Sequence, residues 1–150
     1  MASADSLSFQ LGRTGSECVR IKMLRRNHPT ATDFWDANWL SVRVQVRAGG
    51  FEGRANGDLR AEELAAFRDG LARLHQTLKG EASFETMETW LSLRVTADGL
   101  GHMQVRGEVR DAPGTGNRLT FALALDQTDL PELLEGLDAI CREFPAVGER

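Results

Sequence analysis

The sequence predicts an α+β fold: a mainly antiparallel sheet of about eight strands, as one layer or two half-sheets, with two amphipathic helices on its apolar side. Two observations carry this. An alternating apolar and polar run, long enough for a strand hairpin, twice hands over to an amphipathic helix, first from Trp39 to Leu78 and then from His102 to Phe144. The matching helices start about 66 residues apart, so the layout reads as an internal strand-hairpin-helix repeat.

The elements follow in order. Leu7, Phe9 and Leu11 alternate with polar residues, Gly12 to Gly15 turns, and Val19, Ile21 and Met23 alternate again as an amino-terminal hairpin. A polar loop, RRNHPTATD, follows around Pro29, which disfavours regular structure. From Leu40 the alternation is clean, with Leu40, Val42, Val44 and Val46 inward and Ser41, Arg43, Gln45 and Arg47 outward. A second strand covers 51–56. Leu64, Phe67, Leu71, Leu74 and Leu78 then form one helical stripe, and Gly80 is placed to stop that helix. In the second pass Ala82 and Phe84 open an additional strand, and Leu91, Leu93 and Val95 share one face of the next, which ends at Asp98-Gly99. Met103, Val105, Gly107 and Val109 face the same way as Leu119, Phe121, Leu123 and Leu125 across a turn-rich 113–117 segment. Leu130, Leu133, Leu134, Leu137, Ile140, Cys141 and Phe144 line the last helix, with Asp126 or Thr128 capping it, Pro131 in its first turn and Pro145 ending it.

A chain of 150 residues suits one domain spanning 1–150, able to bury roughly two-thirds of the surface its unfolded form exposes. Eighteen Lys and Arg against 22 Asp and Glu leave a net charge of −4, a poor balance for holding nucleic acid through many phosphates, although a local basic face stays open. No direct nucleic-acid or membrane contact is expected, and the partner expected from the tryptophan and arginine on the polar strand faces is a protein. Cys18 and Cys141 lack metal-ligand spacing and read as reduced structural thiols. The start MASADSLS has no basic-then-apolar leader, and no apolar run approaches a bilayer span, so a cytoplasmic location is expected.

No catalytic, cofactor or metal site is expected. The glycines at 49, 50, 114 and 116 lack the strand-to-helix context of a phosphate loop and read as hairpin turns. His28, His75 and His102 fall on a loop, a helix and a strand, with no ligand pair and no triad order. Glu62/Glu63 and Asp126/Asp129 sit where helix starts favour negative charge; Asp33/Asp36, flanking Phe34-Trp35 in a loop, do not. Strand parity puts Trp39 with Ser41 and Arg43, and Trp90 with Ser92 and Arg94, on the polar side. Tryptophan and arginine dominate binding hot spots. Asp33, Trp35, Asp36, Trp39, Arg43, Trp90 and Arg94 are accordingly the candidate partner-binding residues. Loops covering Trp39 and Trp90 would instead make them core residues, and both readings stay open.

The run DFWDANWL (33–40), the AGGFEG turn (48–53), the L-x-x-E-E-L-x-x-F helix entry (59–67) and the closing DQTDLPELLEGLDAI (126–140) resemble the small bacterial WapI-type immunity family over 33–145. Asp129 stands where the family pattern has an aromatic residue. The resemblance implies a non-catalytic cytoplasmic antidote that binds and blocks the carboxy-terminal domain of a wall-associated polymorphic toxin, a class that attacks transfer RNA. The alternatives are an adaptor of another kind, or a small-ligand module using a pocket between the sheet and the 26–38 loop.

Overall fold

Two four-stranded antiparallel meanders and two main helices make up this α+β protein, which the computed structural model describes for residues 7–13 and 16–149. The first sheet has the order β1 (Ser8–Gly12), β2 (Cys18–Arg26), β3 (Trp39–Ala48), β4 (Phe51–Arg60); a short helix α1 (Phe34–Ala37) interrupts it between β2 and β3. Helix α2 (Ala61–Thr77) leads to the second sheet, β5 (Lys79–Glu85), β6 (Leu91–Asp98), β7 (His102–Arg110), β8 (Arg118–Asp126), and a 3-10 turn at Gln127–Asp129 enters α3 (Leu130–Glu143). Of the two sheet arrangements the sequence allows, the chain adopts the split one. Each half is four strands followed by a helix.

Each main helix lies against the first strand of a sheet. Gly70 of α2 comes so near β5 that an added Cβ would sit 3.2 Å from the Cβ of Ala82, and at Gly136 of α3 it would sit 3.1 Å from the carbonyl of Ser8 on β1. These two glycines are 66 residues apart, so the repeat in sequence is also a repeat in packing. Phe67 of α2 lies between the sheets, its ring centroid 6.4 Å from that of Phe9 and 5.5 Å from that of Phe84. The inward sets expected from strand alternation, among them Val42, Val44, Leu93 and Val105, are buried in one continuous cluster with Leu64, Leu71, Leu137 and Ile140. Each fully buried Leu or Ile stabilises the fold by about 1.5 to 3 kcal/mol of transfer free energy before entropy is charged against it. Across the helix pair, Arg68 Nε donates to Asp138 Oδ1 at 2.6 Å.

Several boundaries differ from expectation. The stop of α2 is Leu78, not Gly80: Leu78 takes the left-handed conformation at φ 57° and donates its amide to the Leu74 carbonyl at 2.8 Å, while Gly80 already belongs to β5. A non-glycine residue there costs about 1 to 2 kcal/mol. Strand β4 runs on to Arg60 rather than ending at 56. Asp33 and Asp36 are not in bare loop; Asp33 caps α1, its carboxylate accepting from the Asp36 amide at 3.0 Å. Asp126 caps the 3-10 turn, and hydrogen bonds from the Thr128 amide and hydroxyl hold its carboxyl below the usual range. The turn at Gly12 to Gly15 and the start MASADSLS fall partly outside the described residues.

Candidate partner-binding face

Arg60 organises the end of the molecule where α2 begins. It is the last residue of β4, opposite Trp39 of β3 in the ladder, and its outward parity should leave it in water. Instead the 33–38 segment folds over it, leaving Arg60 1% exposed. A buried guanidinium needs acceptors. It finds them in the carbonyls of Trp35 (2.7 Å from Nη1) and Phe34 (2.8 Å from Nη2) and in the carboxylate of Glu62. Three rings close around the cation, with centroids at 5.2 Å for Phe34, 5.2 Å for Trp35 and 4.9 Å for Trp39. Such cation–π contacts contribute about 0.5 to 2 kcal/mol each, more as water is excluded.

The same segment is tied down from behind. Asn38, fully buried, donates to the carbonyls of Phe34 at 2.8 Å and Val147 at 3.0 Å and accepts from the Val147 amide at 2.9 Å. Arg26 donates to the carbonyls of Ala37 and Pro145 at 2.7 and 2.8 Å. The outcome is a braced platform that holds Trp35 54% exposed between the exposed carboxylates of Asp33 and Asp36. Glu63 continues the acidic border. Burial raises its carboxyl pKa, against the lowering effect of a hydrogen bond from the Arg60 amide at 2.7 Å and one from the backbone of Met87, itself 57% exposed.

The expected contact residues divide. Asp33, Trp35, Asp36 and Trp39 come together, with Trp39 half-buried under Arg60; Arg43 lies farther along β3, its Nε donating to Asn56 Oδ1 at 3.3 Å. Trp90 and Arg94 do not join them, because β3 and β6 belong to different sheets. Trp90 is 1% exposed, lies against Gly57 and donates its indole N–H to the Asp58 carbonyl at 2.8 Å. The polar-side reading of Trp90 is thus corrected: Trp90 adjoins β6, its carbonyl accepting from the Arg110 amide at 2.8 Å, but β4 of the first sheet covers its indole, and strand alternation does not record such a cover. Arg94 is exposed on the second sheet, 3.8 Å from Glu81. Arg60, the residue that builds the platform, carried one sequence signal: an arginine at a helix N-cap, where Ser, Thr, Asp or Asn is usual.

Chemically the face offers contact and charge. Among the described residues no group of three or more His, Cys, Asp or Glu is placed to hold a metal, and no helix is long and apolar enough to cross a membrane. The model of the immunity protein WapI-like family matches residues 10–145. The chain belongs to that family. Asp33, Trp35, Asp36, Trp39 and the Arg60 brace all lie within the matched residues of this WapI-like protein. No curated protein matches the chain. Among solved structures, this WapI-like chain is similar to the crystal structures of Trypanosoma bruciei MRP1/MRP2, at 11% identity over 92% of this chain and 86% of that one, with a TM-score of 0.49.

Proposed function

We propose that this WapI-like protein is a non-catalytic antidote that binds a cognate toxin domain and blocks it by covering it. The observation that carries this is Trp35: a large aromatic held more than half exposed by a buried arginine, with carboxylates on both sides. A side chain of that size is costly to leave in water. Bracing it in one position reduces the ordering cost of binding. Trp35 is the central anchor, Asp33 and Asp36 select a cationic partner surface, and Trp39 and Arg43 extend the contact along β3. Family membership supports a toxin as the partner, possession of the rigid face supports direct occlusion, and the protein is expected to act in the cytoplasm. Which toxin it meets is set by the genes beside its own.

The test is co-expression with the carboxy-terminal domain of a toxin encoded beside it. The parent protein restores growth and co-purifies with that domain, whereas Trp35→Ala restores neither. Undiminished rescue by Trp35→Ala with Asp33→Asn and Asp36→Asn would sink the assignment of the face. Failure of the parent to bind any adjacent toxin domain would sink the antidote reading itself.

A further inference from the structure

The two sheets match in topology but not in charge. At the outward positions of β2, β3 and β4 numbered 18, 20, 22, 43, 45, 47, 52, 54 and 56, five are cations (Arg20, Lys22, Arg43, Arg47, Arg54) and one, Glu52, is an acid. The ladder makes them neighbours: Arg20 faces Gln45, which faces Arg54, and Lys22 faces Arg43, which faces Asn56. A protein of net charge −4 thus gathers a local excess of positive charge on one broad face. Glu52 lies 3.8 Å from Arg47, and Asp58 and Glu17 lie at the ends of the face, held by Ser41 (3.2 Å) and the Gly49 amide (2.8 Å). Between Arg20, Arg47 and Arg54 the surface dips into an open concavity of about 600 Å³. The equivalent face of the second sheet is mixed, with Arg94 near Glu81 and Arg110 near Glu108.

We infer that this basic face of the first sheet, which adjoins the Trp35 platform at Arg43, is a docking surface for the sugar-phosphate backbone of double-helical RNA, and the inference does not depend on the antidote reading. The cations span about 10 Å across three strands and about 13 Å along β3, enough for a few phosphates. What the face lacks identifies the occupant. None of the nine positions carries a large apolar or aromatic side chain; Trp39 and the exposed Phe51 lie at the two ends of the β3–β4 ladder, so the middle of the face has no anchor for the core of a protein interface. For the same reason it has no platform for the unstacked bases of a single strand. Four guanidiniums with Gln45 and Asn56 between them suit phosphates and 2′-hydroxyls. A broad sheet can lie across the wide, shallow minor groove of an A-form helix, whereas the B-form major groove admits a helix or a two-stranded ribbon.

The test is fluorescence anisotropy of a 20-base-pair RNA duplex against the whole protein, with melting curves on every variant. About four phosphate contacts predict micromolar-range, sequence-independent binding at low salt that weakens on the order of 100-fold between about 50 and 200 mM. The variant Arg20→Gln with Arg47→Gln and Arg54→Gln keeps its melting temperature and loses at least about tenfold in affinity, three phosphate contacts having gone. Arg94→Gln with Arg106→Gln, on the other sheet, binds as the parent does. Arg43 is left intact throughout, because it is shared with the toxin-binding face. No binding at low salt, or binding indifferent to the triple substitution, would overturn the inference. So would equal affinity for a DNA duplex, for poly-glutamate or for vesicles of anionic lipid.

Discussion

Trp90 and Gly57 meet face to face across the two sheets. An added Cβ on Gly57 would lie 2.4 Å from the indole ring of Trp90, which is fixed by its hydrogen bond to the neighbouring Asp58 carbonyl. The pair joins β4 of the first sheet to the entry of β6 in the second, so a glycine within a strand is here the condition for a buried tryptophan. Gly57→Ala should therefore destabilise the protein by about 1 to 3 kcal/mol, the usual range for overpacking. Trp90→Ala should cost about 3 to 5 kcal/mol. In the Trp90→Ala background the Gly57→Ala cost should largely vanish, since the clash has no partner. Additive costs in chemical denaturation would refute the coupling.

Arg60 makes a different kind of prediction, because its removal strands other groups. Arg60→Leu leaves the Trp35 carbonyl and the Glu62 carboxylate without this donor and takes from the Phe34 carbonyl one of the two donors it shares with Asn38; Glu62 Oε2 already has no hydrogen-bond partner among the described residues. Breaking a buried pair from one side costs about 3 to 5 kcal/mol. Arg60→Lys should recover little, as one ammonium cannot reproduce the planar fork or stack on three rings. Trp35 and Trp39 fluorescence should shift to longer wavelength in both variants. An unshifted spectrum with parent-like stability would show that the segment holds itself in place.

Glu63 ties stability to pH. Burial raises its carboxyl pKa above the ordinary 4.5, so the folded state favours the protonated form. Its contribution is present below the unfolded value and is lost as pH rises through the folded value. Glu63→Gln keeps an oxygen to accept from the Arg60 amide and cannot ionise. Relative to the parent, its melting temperature should rise as pH goes from about 4 to about 7. A pH-independent difference would mean that burial of this carboxylate is inconsequential.

Why the fold was more legible than the site follows from these same residues. Alternation in Leu40 to Val46 reports which way each side chain points, and the buried face in the structure is the one it names. Trp90 defeated the rule because β4 of the first sheet covers its indole at Gly57 and Asp58, a contact between sheets. Arg60 defeated it from the other side: parity sends it outward correctly, yet a segment more than twenty residues earlier in the chain covers it, and no local pattern records such a contact. Whether a polar-side residue stays in water depends on what folds over it. The same consideration separates Trp39, half-covered through Arg60, from Trp35, which lies on top of the brace.

The three tryptophans can consequently be told apart by pairing a stability measurement with a binding measurement. Trp90→Ala should lose stability and, in whatever fraction stays folded, bind a cognate toxin domain like the parent, because the indole is 1% exposed. Trp35→Ala should melt within about 0.5 kcal/mol of the parent apart from its share of the Arg60 cation–π contact. Its binding should fall by about 2 kcal/mol or more, roughly thirtyfold in dissociation constant, as expected for a central aromatic anchor. Trp39→Ala should show both effects at reduced size, since its ring faces Arg60 at 4.9 Å and retains an exposed part. A Trp35→Ala variant that is unstable but binds normally would make Trp35 a brace for Arg60. The contact would then rest on the carboxylates of Asp33 and Asp36 with Trp39 and Arg43.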